Sequence, residues 1–144
     1  MRPATTLEIV PIDAARTYPP RVTRFTATFW QALQEGQLKT TRCESCRRLS
    51  FPPKPVCPHC WTEGICWEPL SGVGTLYSWT RIHAGPAIFE PELPYPVGVV
   101  DLDAGIRLAC RLYGAAGTQW RCDMPVRMVA LSYRDGPLMA ACPA

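Results

Sequence analysis

Residues 43–60 read CESCRRLSFPPKPVCPHC. The stretch holds two Cys-x-x-Cys knuckles, Cys43-Glu44-Ser45-Cys46 and Cys57-Pro58-His59-Cys60, ten residues apart, which is the spacing of a zinc ribbon. Each knuckle sets two thiolates on one tight turn, and two such turns face to face make the tetrahedral sulfur cage that structural zinc prefers. A shell of four cysteines (Cys43, Cys46, Cys57, Cys60) has no vacant position, so metal there organises the chain and does not activate water. His59 reads as a loop residue beside a shell that is complete without it. Spacing does not by itself separate zinc from the iron of a rubredoxin-type site. Disulfides are disfavoured, because the first 18 residues carry Arg2, Glu8, Asp13 and Arg16 and no apolar segment of a signal peptide.

A ribbon of this size lacks the apolar area to offset its chain entropy, and a structural zinc ion supplies on the order of 10 kcal/mol toward the difference. N-terminal to it, residues 1–22 contain Pro3, Pro11, Pro19 and Pro20 without a sustained period and read as an extended arm. Phe25, Phe29 and Leu33 then fall at helical spacing, with Gly36 where a helix end favours a left-handed residue; this predicts a helix from about Thr23 to Glu35, inside an N-terminal unit at 23–38. The pair Phe29 and Trp30 carries more aromatic area than a three-turn helix can hide alone: either it caps the rest of this protein or it docks on a partner, and an exposed patch of that size would make it the candidate partner-docking surface.

Residues 39–68 form the ribbon and 69–144 are all β. Strands are expected at Val73–His83, Tyr95–Leu102, Ile106–Tyr113, Pro125–Tyr133 and Leu138–Cys142, with Asp103-Ala104-Gly105 as a tight turn. Five short strands with a longer break between the third and fourth suggest a small Greek-key barrel of the OB type. The fold class is thus mainly β: an N-terminal helix, a rubredoxin-like zinc ribbon and a C-terminal OB-fold barrel. Gly72-Val73-Gly74 has no following lysine or helix and reads as a strand-entry bend, not a phosphate loop.

Charge narrows the function. Residues 1–60 hold nine Lys/Arg against four Asp/Glu, and residues 61–144 six against eight, a bias far weaker than the basic face of a dedicated nucleic-acid binder. No apolar run approaches the roughly 20 residues that span a bilayer, and the expected setting is cytoplasmic. Cys66, Cys110, Cys122 and Cys142 show no ligand spacing and read as packing residues. No paired carboxylates, Ser/His/Asp set or open metal site is evident, which argues against an independent enzyme.

The run from Phe29-Trp30 through Gly36, both knuckles, Phe51-Pro52-Pro53, Trp67, Ser71-Gly72-Val73-Gly74-Thr75 and Pro94-Tyr95-Pro96-Val97 to Val100-Asp101-Leu102 resembles the zinc-ribbon OB-fold proteins once catalogued as domain of unknown function 35. The resemblance covers about residues 23–143. It implies an accessory role beside thiolase-like, ketoacyl-synthase-like or hydratase enzymes that handle acyl-CoA thioesters, in lipid, steroid or polyketide metabolism. The chain departs from relatives at Arg47 and Asp123, where they usually carry glycine, and at Cys142, where they tend to carry an aromatic residue. An acyl-CoA ligand would call on cations for its phosphates and aromatic walls for its adenine. Tyr77, Trp79, Arg81 and His83, at alternate positions of one strand, are the candidate residues for that face; their plain alternative is barrel core. A second function class, single-stranded nucleic-acid binding, rests on the use of OB folds and ribbons for stacking bases.

Overall fold

The computed structural model describes residues 6–144. The part of the expected arm at 1–5 lies outside the described residues. From there the chain runs through β1 (Glu8–Pro11), α1 (Ala27–Gln34), β2 (Leu38–Cys43), β3 (Leu49–Ser50), β4 (Ile65–Leu70), β5 (Val73–Ile82), β6 (Tyr95–Leu102), β7 (Arg107–Leu112), β8 (Pro125–Tyr133) and β9 (Gly136–Pro143), with a 3-10 turn at Ala87–Glu92 before β6.

Strands β5 to β9 close into a barrel in the order β5-β6-β7-β9-β8, with β8 returning to pair with β5. All neighbours are antiparallel except β7 and β9. This is the five-stranded Greek-key barrel of an OB fold. Inward positions alternate along each strand as the pleat requires: Leu76 on β5, Val100 and Leu102 on β6, Leu108 and Leu112 on β7, Val126 and Met128 on β8 and Ala141 on β9 form one buried cluster. Gly98 faces that cluster because a Cβ there would stand 2.7 Å from Leu76 Cδ1. The ribbon is a separate three-stranded sheet in the order β3-β2-β4. Strand β4, unread in the sequence, pairs with β2 from Leu38↔Leu70 to Cys43↔Ile65 and so joins the metal knuckles to the barrel entry.

The arm is a strand for part of its length. Glu8–Pro11 pairs in parallel with Val129–Ser132 of β8, along the edge that β5 leaves free. Val10 and Ile12 thereby cover a second small cluster of Val129, Leu131, Ala140 and Cys142 on the outside of the barrel. Further on, the Arg16 guanidinium donates to the Asp135 and Pro137 carbonyls at 2.7 and 3.2 Å, and the Thr17 hydroxyl donates to Glu92 at 2.6 Å. The helix begins at Ala27 and not Thr23, because Thr23 and Thr26 tie off a turn in which each backbone N–H donates to the other's hydroxyl, at 2.8 and 3.1 Å. It ends at Gln34, and Gly36 turns left-handed at φ 78° so that its carbonyl can accept the Leu7 N–H at 2.7 Å.

Phe29 is a correction to the expected docking pair. It is buried, edge-on to Trp30 and Phe51, in the cluster that joins helix, ribbon and barrel. Trp30 packs half-buried against the same cluster. Aromatic area that the helix alone could not hide is covered largely within this chain. No helix among the described residues is long and apolar enough to cross a membrane.

Candidate metal centre and barrel face

The two knuckles are built alike. Cys43 donates its N–H to the Arg48 carbonyl and accepts the Arg47 N–H at its own carbonyl, at 2.9 and 3.0 Å; Cys57 does the same with Thr62 and Trp61, at 3.0 and 2.9 Å. These rungs curl each loop so that backbone N–H groups point at sulfur: Ser45 and Cys46 at Cys43 Sγ, 3.3 and 3.4 Å, and His59 at Cys57 Sγ, 3.4 Å. The curl requires a left-handed residue after each second cysteine, Arg47 at φ 66° and Trp61 at φ 63°. Arg42 forks onto Glu68 across β2 and β4 and also donates to the Arg47 carbonyl, locking the first knuckle to the sheet.

The four Sγ atoms lie within 4.8 Å of one another, with Cys43 to Cys60 at 3.5 Å and Cys46 to Cys57 at 3.6 Å. A zinc ion with four bonds of about 2.3 Å spaces its sulfurs about 3.8 Å apart, so the donors fit a structural zinc; a disulfide would bring one pair to about 2 Å. His59 is outside this set. Hydrogen bonds from the Thr62 hydroxyl and the Cys46 N–H hold the Cys43 thiol down to about 5. Against the lowering hydrogen bond from the Arg48 N–H, burial and the contacts with Cys57, Cys43 and Cys60 push the Cys46 thiol up to about 11. Metal binding therefore has to displace that proton, even though Cys43 is already poised as a thiolate.

The expected face of Tyr77, Trp79, Arg81 and His83 does not form as one surface. Strand β5 pairs Leu76 with Val100 and Ser78 with Val99, which leaves Tyr77 as the extra residue of a bulge and shifts the alternation by one. Tyr77 accordingly points out of the barrel, where the Arg107 guanidinium lies 3.7 Å above its ring and forks onto Asp101 at 2.6 and 3.0 Å. Trp79 packs against the buried cluster, the plain alternative for it. Arg81 lines a pocket of about 220 Å³ under the 113–118 loop, bordered by Pro96, Leu112, Tyr113 and Trp120. His83 is exposed beyond the end of the strand. The sequence marks a loop through Gly114, Gly117 and Trp120 but not the pocket beneath it; the signal that could have found the pocket is Trp120, an indole in that glycine-rich loop, 6% exposed.

Residues 30–65 match the description "ChsH2, rubredoxin-like zinc ribbon domain", and residues 67–131 match "ChsH2, C-terminal OB-fold domain". In Thauera aromatica, the benzoylsuccinyl-CoA thiolase subunit BbsA is 36% identical over 119 residues, 81% of either chain. A DUF35 domain-containing scaffold protein of Pyrococcus furiosus is 30% identical over 118 residues, 81% of this chain and 83% of that one. The chain belongs to the DUF35 zinc-ribbon OB-fold family. Among its other relatives, a probable enoyl-CoA hydratase alpha subunit of Thermomonospora curvata is 35% identical over 109 residues, which is 74% of this chain and 33% of that longer protein. The solved structure titled "Ltp2-ChsH2(DUF35) aldolase" superposes with a TM-score of 0.75 at 32% identity, over 87% of this chain and 98% of the other. Arg47 and Asp123, where the resemblance led to an expectation of glycine, both hold the left-handed backbone, φ 66° and 64°, that glycine adopts without strain.

Proposed function

We propose that the chain is a non-catalytic accessory subunit that docks on a thiolase-like, ketoacyl-synthase-like or hydratase enzyme and borders the path of its acyl-CoA substrate. The observation that carries this reading is the identity to a named thiolase subunit over four-fifths of both chains. The chemistry of the chain agrees with it. A shell closed by four sulfurs holds a fold together and offers no position to substrate. Burial pushes the Cys110 thiol up to about 12, far from the range of a working nucleophile.

For the docking surface, Trp61 is a better candidate than the helix. Its side chain is 76% exposed at the tip of the second knuckle, on a backbone conformation that a bulky residue adopts only under strain. A large indole held that way in solvent has no folding role, and a partner surface would give it one.

The test is affinity purification of the tagged, zinc-loaded chain from native extract, followed by mass spectrometry. Recovery of a thiolase-fold or hydratase-fold protein is expected. Turnover of acyl-CoA by the purified chain alone, or recovery of RNA without such an enzyme, would overturn the reading.

A further inference from the structure

Four of the six arginines of the barrel are committed to carboxylates. Arg107 pairs with Asp101, Arg111 with Glu92, Arg127 with Glu8 and Arg134 with Asp13. Arg81 and Arg121 have no such partner among the described residues, and of the two Arg81 is the one that lines the pocket under the 113–118 loop. No carboxylate among the described residues borders that pocket. Its other walls are mixed: Pro96, Leu112 and the buried indole of Trp120, Tyr113 at 38% exposure, and the loop from Gly114 to Thr118. The loop holds its shape by itself, because the Thr118 hydroxyl donates to the Ala115 carbonyl at 2.6 Å and a Cβ on Gly114 would stand 2.8 Å from that hydroxyl.

From this we infer that the pocket binds a small organic anion, a single carboxylate or phosphate group carried on a flat or aliphatic body. A guanidinium presents a fork that matches either group; Arg81 is exposed at the pocket's mouth, and the 114–118 loop and the indole of Trp120 line the space beside it. At about 220 Å³ the space is below the roughly 300–1,000 Å³ that encloses a drug-sized ligand, so it accepts one end of a molecule and leaves the rest outside. The inference deepens the ligand half of the proposed function and rests on it for the ligand's origin, since an acyl-CoA carries phosphate groups of this kind.

The test is an amide and indole NMR titration of the zinc-loaded full chain with phenyl phosphate, benzoate and inorganic phosphate. Saturable shifts at Gly114, Gly117, Thr118 and the Trp120 indole are expected with phenyl phosphate or benzoate, and whichever binds more tightly identifies the anionic group. Arg81→Gln should lower that affinity about tenfold, the scale of a lost charged hydrogen bond. Arg121→Gln, at a cation outside the pocket, should leave it unchanged. Absence of saturation in the millimolar range, shifts centred elsewhere, or equal losses in both variants would overturn the proposal. Purification of partner with Arg81→Gln separates the two readings: an enzyme still recovered while ligand binding is lost supports both. Arg81-dependent binding without any enzyme recovered removes the accessory role and leaves the pocket.

Discussion

Replacing Arg47 by glycine should tighten metal binding. Arg47 sits at φ 66° after the first knuckle. A residue with a Cβ in that conformation costs about 1–2 kcal/mol, and glycine gives back about 0.5–1 kcal/mol through its looser unfolded chain. The net gain is about 0.5–1 kcal/mol. The two hydrogen bonds that define the position use only its backbone, the N–H to the Cys43 carbonyl and the carbonyl from Arg42, so glycine keeps both. Because the ribbon's folding is coupled to its metal, relief of strain in the knuckle appears as zinc affinity, a rise of roughly two- to fivefold. Competition against a chromogenic chelator at fixed pH reads this directly. Arg48→Gly is the control: its backbone is not left-handed, so it gains nothing and loses the same chain entropy. Equal or weaker zinc affinity in Arg47→Gly than in Arg48→Gly would refute the strain argument.

Four further outcomes follow from the same geometry. Trp61→Gly should raise zinc affinity by a similar factor while lowering partner recovery about tenfold, checked by chelator competition and pull-down on one preparation. Gly98→Ala should destabilise the barrel by about 1–3 kcal/mol in denaturant unfolding, since the added methyl meets Leu76 and Leu112 side chains at 2.7 and 3.0 Å. The Arg42 fork, with its hydrogen bond to the carboxylate, holds the Glu68 pKa below its ordinary value. The pair's contribution is therefore complete above the unfolded carboxylate value of about 4.3 and is lost as pH falls through the folded one; carboxyl NMR should find Glu68 titrating below about 4.3, and Glu68→Gln should remove that acid-side dependence. In folded protein at about pH 8, a maleimide should label Cys66 and Cys122, which are exposed, and spare Cys110, whose thiol burial keeps protonated.

The barrel and ribbon were readable because their signals are local. Ligand spacing announces a knuckle, and alternation around Asp103-Ala104-Gly105 announces a hairpin, which the structure closes with the Gly105 N–H donating to the Leu102 carbonyl at 2.9 Å. Even the two departures from glycine, Arg47 and Asp123, mark the left-handed turns. What escaped depends on partners distant in sequence. Nothing in Glu8–Pro11 states that it will pair with Val129–Ser132, and β4 is visible only against β2. The bulge at Tyr77 is the sharpest case: alternate residues from 77 to 83 look like one face, yet one extra residue opposite Val99 and Val100 sends Tyr77 to Arg107 and Trp79 to the core. Phe29 was misassigned for the same reason, since helical spacing shows which residues share a stripe but not whether Phe51 waits to cover it.

The parallel pairing of β1 with β8 sets an order of events during synthesis. Of the elements described, the arm leaves the ribosome first, but the strand it completes is made late in the chain. The same holds for the hairpin turn that receives Arg16, whose Asp135 and Pro137 carbonyls lie 119 and 121 residues further on. Arg134, in that same turn, holds Asp13 of the arm at 2.5 Å. At about 5–20 residues per second, the first-made strand waits on the order of ten seconds for the edge it completes. Until then Val10 and Ile12 have no cluster to cover, because the barrel's outer apolar patch does not yet exist. The earliest of these elements is thus among the last to find its place. A chaperone or a partner enzyme present in that interval meets a ribbon that can already hold metal and an arm that is still free.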